Sequence, residues 1–239
     1  MKKILKNLNV KIFADGADKA KMIELSKKDF ISGLTTNPTL MRKSGIVNYK
    51  DFAQSVLSII KDKPISFEVF SDDFDEMYKQ ALEIASWASN VYVKIPITNT
   101  KGTLSADLIK ELAFNDVKVN VTAIMTNKQV EQAVSSLNSE VPSYISVFAG
   151  RIADTGVDPI PIMIKALESM KQNNKSELIW ASPRELLNII QANEIGCHVI
   201  TVTSDILKKL VYLDYDLNKF SLDTVKMFYE DSVVAGYKI

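Results

Sequence analysis

Short apolar runs rich in β-branched and aromatic residues recur along the chain, and each is followed by a longer segment in which apolar residues return every third or fourth position. The short runs cover residues 11–15, 31–35, 65–70, 91–95, 118–124, 144–148, 177–181 and 198–202. Most of them (ISFEV, VYVKI, YISVF, LIWA, HVITV) are apolar nearly throughout instead of alternating with polar residues, as parallel strands covered on both faces require. The segments between them read as helices. Over 49–61, Phe52, Val56, Ile59 and Ile60 fall at spacings of three and four, which gathers them on one helical face. Over 126–137, Thr126 and Gln129 stand three apart, as a capping box requires. Eight strand–helix units predict an α/β fold, a (β/α)8 TIM barrel. A doubly wound sheet has fewer strands and a glycine-rich first turn, and neither G-x-G-x-x-G nor a P-loop pattern occurs. No linker or low-complexity tract divides the chain, so residues 1–239 are expected to form a single domain. Beyond the eighth unit, 222–235 reads as an extra C-terminal helix with an apolar stripe of Leu222, Val225, Phe228, Tyr229 and Val233. Its own barrel is the first surface expected to cover that stripe, and a neighbouring subunit is the second.

Charge and composition then remove whole classes of function. The 239 residues are 46% hydrophobic and 24% charged, an ordinary globular balance. Lys and Arg number 29 against 29 Asp and Glu, which leaves no basic field to gather a nucleic-acid backbone. The one cysteine, Cys197, cannot form an internal disulfide, and with the one histidine, His198, it falls short of the ligands a zinc site wants. Metal-free chemistry in a reducing compartment is expected. Lys6 and Lys11 interrupt the opening MKKILKNLNVKIF before it could act as a signal core, and no run reaches the ~18 apolar residues of a membrane helix. An unprocessed cytoplasmic protein, free of membrane, is the resulting expectation.

Within a barrel, the carboxyl ends of the strands and the loops after them build the active site, and here those ends are polar. The first strand ends at Asp15 and the second runs into Thr35, Thr36 and Asn37. Glu68 lies in the third, Lys94 in the fourth, Asn120 and Thr122 in the fifth, and Ser146 in the sixth, with Arg151 just beyond; Ser182 and Arg184 follow the seventh. Lys94 stands between Val93 and Ile95, and burying an ammonium there costs several kcal/mol unless it is paired or gives up its proton. A lysine that gives it up is an amine nucleophile able to form a Schiff base with a carbonyl. Glu68, in SFEVF, would be its acid/base companion, although the same two residues also fit a purely structural ion pair. Asp15 admits a second reading as the N-cap of the first helix.

The arginines give an independent signal. Of the 29 basic residues only Arg42, Arg151 and Arg184 are arginine, and two of these follow successive strands. A planar guanidinium fork suits phosphate oxygens, although two surface salt bridges would use the same residues. Ser182-Pro183-Arg184-Glu185 also reads as a capping box with proline at the first helical position, which would put Arg184 in a helix's first turn. Cys197 and His198 read as packing, because strand neighbours point to opposite faces. Trp180 and Phe148 read as core or pocket wall.

Taken together, ADGAD, GLTTNPTL, SFEV, VKIP, VNVTAIMT, ISVFAGRIAD and ASPRE resemble the transaldolase family over nearly the whole chain. Each motif alone is unspecific; seven in order on successive strand ends are highly specific. The resemblance implies a barrel in which Lys94 forms a Schiff base with a ketose phosphate and Asp15 takes the substrate's hydroxyl proton as the carbon–carbon bond breaks. It implies that Glu68, through a water held with Thr122, handles protons during imine formation and hydrolysis. Asn37, Asn120 and Ser146 would hold the dihydroxyacetone unit, Thr35 would support Asn37 and Asp15, and Arg151, Arg184 and Ser182 would grip the phosphate. No cofactor is implied, because the imine nitrogen is itself the electron sink. A homo-oligomer is implied, a dimer or a larger ring, with the terminal helix in its contacts.

The family also has a fructose 6-phosphate aldolase branch, which typically carries glutamine, tyrosine and lysine where this chain has Glu68, Phe148 and Arg184. All three positions side with transaldolase. Val147 in place of a common proline and Pro183 in place of a common phenylalanine depart from the pattern. Release of free dihydroxyacetone is the enzymatic alternative, and an inactive barrel that only binds sugar phosphates is the non-enzymatic one.

Overall fold

A computed structural model describes residue 5 and residues 7–239. Residues 1–4 and Lys6, part of the opening read above against a signal core, lie outside the described residues. Eight strands, β1 (Lys11–Asp15), β2 (Ile31–Thr35), β3 (Ile65–Glu68), β4 (Val91–Pro96), β5 (Val119–Ile124), β6 (Ser143–Val147), β7 (Ser176–Trp180) and β8 (Val199–Thr203), pair in parallel and in chain order. β8 closes onto β1, so the (β/α)8 barrel is the observed fold. The helices around it are α1 (Lys19–Ser26), α2 (Pro38–Lys43), α3 (Tyr49–Leu57), α4 (Phe74–Ser86), α5 (Ala106–Phe114), α6 (Asn127–Ser136), α7 (Ala149–Asp154), α8 (Ile160–Ser169), α9 (Leu187–Glu194), α10 (Ser204–Lys208) and α11 (Leu217–Ala235).

Side-chain caps start many of these helices. Asn37, Asn48, Asp73 and Asp216 each accept a backbone N–H from the first turn, and Thr126 with Gln129 forms the full capping box that its spacing predicts. α3 stops at Leu57, short of the predicted 61, because the chain tightens into an Ile59 N–H to Val56 carbonyl bond of 3.1 Å. Ile60 is nevertheless buried from outside the helix.

Two apolar layers hold the barrel. The larger lies between sheet and helices, where Leu34, Phe67, Val93 and Ile145 meet Val56, Leu112, Val130 and Ile189. The smaller fills the barrel's interior with Phe13, Tyr144, Ile179, Ala181 and Val199, flanked by Tyr92 and Phe148. Phe13 and Tyr144 pack edge to face at 5.5 Å, and Tyr92 and Tyr144 lie 4.3 Å apart. Gly33 is level with Phe13 on the neighbouring strand, and a Cβ there would fall 2.6 Å from the Phe13 ring. The missing side chain is therefore what admits the ring.

α11 begins at Leu217, five residues ahead of the predicted helix, because Asp216 caps it. Tyr212 and Tyr215 pack against Phe220 at 5.1 and 5.6 Å, and the Tyr215 hydroxyl donates to Asp223 at 2.7 Å. The expectation that its stripe packs on its own barrel is corrected: no residue of the helix is buried, and Leu222, Val225, Phe228, Tyr229 and Val233 are each more than half exposed. Among the described residues no helix is long and apolar enough to cross a membrane.

Candidate active site

Register brings the polar strand ends to one level. Glu68 of β3 is level with Lys94 of β4, which is level with Asn120 of β5; Asp15 of β1 is level with Thr35 of β2. Side chains of a strand alternate in direction, so these residues share the inward face with Phe13 and Tyr92, one pleat further toward the carboxyl end. A cavity of ≈ 510 Å³ opens there. Asp15, Thr35, Asn37, Glu68, Lys94, Thr122, Ser146, Phe148, Arg151, Ser182 and Arg184 line it. Asn120, the remaining sequence candidate, is fully buried behind this lining and bonded to Ser146.

The Lys94 ammonium is buried and points inward. Its Nζ lies 2.9 Å from Glu68 Oε2 and donates to the Thr36 carbonyl at 2.9 Å. Asp15 accepts from the Thr35 hydroxyl at 2.7 Å, and Thr35 is in turn in close hydroxyl contact with Thr201 of β8. Burial pushes the Asp15 carboxyl above its ordinary range; the Lys94 charge and the Thr35 bond pull it partly back, while the Glu68 charge adds to the rise. Asp15 is not a helix cap: Asp18 takes that place, accepting the Lys21 N–H at 3.0 Å.

A second chain of bonds runs across β5 and β6. Ser146 donates to Asn120 Oδ1 at 2.7 Å, and Asn120 Nδ2 donates to Ser66 at 3.0 Å. The Thr122 hydroxyl is buried with no protein partner, which suits it to a small polar ligand or a water. Asn37 uses one lone pair of its amide oxygen on the Leu40 N–H at 2.9 Å to cap α2, which leaves its NH₂ and the second lone pair for a substrate.

Arg184, in the lining of the same cavity, is already held. Its Nε and Nη2 meet the two Asp154 oxygens at 2.9 and 2.5 Å, and its Nη1 donates to the Ser182 carbonyl at 3.0 Å. The guanidinium lowers the Asp154 carboxyl below its ordinary range. Arg151 projects from α7 into the same cavity. The predicted capping box over 182–185 does not form. Ser182 is left-handed at φ +57, whereas an N-cap is extended; α9 starts only at Leu187, and Asn188 Oδ1 instead takes the Arg184 and Glu185 N–H groups at 2.8 and 3.1 Å. Gly150 makes the junction possible: a Cβ there would fall 1.6 Å from the Ser182 carbonyl oxygen.

Cys197 is buried, and His198 Nδ1 accepts the Leu178 N–H at 3.0 Å, in keeping with the packing role expected of them. Among the described residues no group of three or more His, Cys, Asp or Glu is placed to hold a metal ion. Sequence reasoning missed Thr201, Ser66 and Asp154. Alternation along VITVT would have placed Thr201 on the inward face with Val199, whereas nothing local marks Asp154 as a partner of Arg184, thirty residues away.

The family model described as transaldolase/fructose-6-phosphate aldolase matches residues 12–235. A protein named probable transaldolase 2 from Listeria monocytogenes is 34% identical over 203 residues, spanning 84% of this chain and 88% of its own. A probable transaldolase from a Thermoanaerobacter species is 33% identical over 234 residues, spanning 96% of this chain and 100% of its own. Among solved structures, a dihydrodipicolinate synthase family protein from Coccidioides immitis superposes with a TM-score of 0.63 at 11% identity, over 97% of this chain and 80% of that one. That likeness is one of fold.

Proposed function

The chain belongs to the transaldolase/fructose-6-phosphate aldolase family, and on that premise we propose that it transfers a dihydroxyacetone unit from a ketose phosphate to an aldose phosphate through a Schiff base on Lys94. Sedoheptulose 7-phosphate or fructose 6-phosphate would be the donor, and glyceraldehyde 3-phosphate or erythrose 4-phosphate the acceptor, as in the cytoplasmic non-oxidative pentose phosphate pathway. One observation carries this reading: a buried amine with a carboxylate at 2.9 Å, in the lining of a polar cavity that two arginines also line.

In this reading Lys94 gives a proton to Glu68, and its free amine adds to the ketose C2 carbonyl. Glu68, through a water shared with Thr122, returns the proton to the leaving hydroxyl, so that water departs and the imine remains. Asp15 then accepts the C4 hydroxyl proton as the C3–C4 bond breaks; the aldose phosphate leaves and the electron pair moves onto the imine nitrogen, giving an enamine. An acceptor aldehyde reverses these steps, taking the proton from Asp15, and hydrolysis frees Lys94. Ser146 and Asn37 hold the hydroxyls of the bound three-carbon unit, with Asn120 behind them holding Ser146; Thr35 holds Asp15, and Arg151, Arg184 and Ser182 hold the phosphate. Glu68, Phe148 and Arg184 favour transfer over release. We infer further that copies of the chain associate through the uncovered face of α11.

Borohydride reduction in the presence of fructose 6-phosphate, followed by peptide mass mapping, tests the reading. The reduced adduct is expected on Lys94, and an unlabelled Lys94 would refute it. Erythrose 4-phosphate should raise turnover; free dihydroxyacetone produced at full rate without any acceptor would assign the release branch instead.

A further inference from the structure

β2 stops pairing with β3 early. The two strands share only the levels Leu34–Ile65 and Thr35–Ser66, and the last backbone bond between them runs from the Thr36 N–H to the Ser66 carbonyl at 3.1 Å. Ile65 and Val69 turn their N–H groups to the β4 side, so Glu68, two residues past Ser66, offers its N–H and carbonyl toward β2. There the chain has already turned into α2, and the rung is missing. Tyr49 of α3 supplies it: its hydroxyl donates to the Glu68 carbonyl at 2.8 Å and accepts the Glu68 N–H at 2.8 Å. A phenol can do both at once. The ring is fixed against Phe67, Phe70 and Trp87, with centroids 6.3, 5.5 and 5.9 Å away. Burial raises the phenol well above its ordinary range, so it keeps the proton it donates.

We propose that Tyr49 is a positioning residue for the reaction, a side-chain rung that fixes the Glu68 backbone and so holds its carboxylate against Lys94 while the imine forms and hydrolyses. The proposal rests on the Schiff-base reading of the site. Glu68 is the last residue of its strand, and without the hydroxyl neither of its β2-facing backbone groups has a neighbouring rung. The strand end is then free to drift, and a displacement near 1 Å at a reacting pair costs about 100-fold in rate.

Tyr49→Phe removes the hydroxyl and keeps the ring packing. The rate of adduct formation at Lys94, measured by quenching with borohydride at timed intervals under saturating fructose 6-phosphate, is expected to fall about 10–100-fold, with half-saturation moved less than about threefold. In a Glu68→Gln background the same substitution should cost less than about threefold, because the group it positions is gone. Amide exchange at Glu68, read from a peptide spanning 65–70, should quicken in Tyr49→Phe. An unslowed Tyr49→Phe, an equal loss in both backgrounds, or unchanged exchange at Glu68 would each overturn the assignment. Should the Phe variant not fold, 3,5-difluorotyrosine at position 49 keeps the ring and hydroxyl but weakens the bond accepted from the Glu68 N–H while strengthening the one donated to its carbonyl. Exchange at the Glu68 amide should then quicken, and unchanged exchange would overturn the assignment. Wild-type protein that forms no adduct would remove the Schiff-base reading itself, whereas adduct formation in wild type with an unslowed variant removes Tyr49 alone.

Discussion

Gly150 offers a sharp test of how the cavity wall around Arg151, Ser182 and Arg184 is assembled. Replacing it with alanine would set a Cβ 1.6 Å from the Ser182 carbonyl oxygen, 2.7 Å from its carbon and 3.4 Å from Arg184 Cγ. The oxygen belongs to backbone and cannot rotate aside. Relief to 3.0 Å therefore needs about 1.4 Å of movement between α7 and the segment after β7, which separates Arg151 from Ser182 and Arg184. Overpacking of this kind costs about 1–3 kcal/mol, which lowers the unfolding midpoint of a domain this size by about 2–12 °C. Misplacement by about 1 Å of groups that hold a substrate costs about 100-fold, or about 2.7 kcal/mol, in kcat/KM. The assay pairs differential scanning calorimetry with steady-state transfer from fructose 6-phosphate to erythrose 4-phosphate. Gly16→Ala is the control, because nothing lies within 4 Å of its Cβ and its φ is not positive. A Gly150→Ala protein that matches this control in both midpoint and kcat/KM would refute the reasoning.

Asp15 carries a pH signature. Its folded-state pKa is raised above the unfolded 3.8, so the stability it contributes is fully present below 3.8 and is lost as pH rises through the raised folded value. Asp15→Asn should accordingly be the more heat-stable protein at pH 7, with its advantage shrinking as pH falls toward 4; an advantage that grows on acidification would refute the sign. The same substitution should abolish carbon–carbon cleavage while leaving the Lys94 adduct detectable after borohydride. Deletion of residues 217–239 should reduce the solution mass by light scattering to that of one chain and leave cooperative unfolding intact, since no residue of α11 is buried; an unchanged oligomer would refute association through the helix.

Much of the fold was legible because continuous apolar runs bounded by polar strand ends leave little freedom. β1 and β2 begin and end where the pattern places them, and the other strands differ by a residue or two at their ends. The inward polar residues were legible for the same reason: Lys94 or Asn120 inside an apolar strand is conspicuous. The misses have distinct causes. Asp18 won the α1 cap over Asp15 because only its side chain reaches the first turn. The box at Ser182 failed because contact with Gly150 accompanies a backbone conformation that no cap uses. Thr201 looked like an ordinary β-former, and Tyr49 like one more apolar helix position. Asp154 owes its role to a partner on another loop, a relation that no local pattern encodes. The stripe on α11 is real as sequence, but periodicity names an apolar face without naming what covers it.

The aromatic plug of Phe13, Tyr144 and Tyr92 has a consequence for the order of events. A barrel filled with aromatic rings beneath its cavity leaves the mouth at the carboxyl ends of the strands as the way in, so on the proposed reaction both sugars would pass through it. On the proposed mechanism the acceptor enters the space the departing fragment has vacated, while the three-carbon unit stays bound to Lys94. Double-reciprocal plots at several acceptor concentrations should then run parallel. Water admitted through the same mouth would then set how many such adducts are discharged without a recipient.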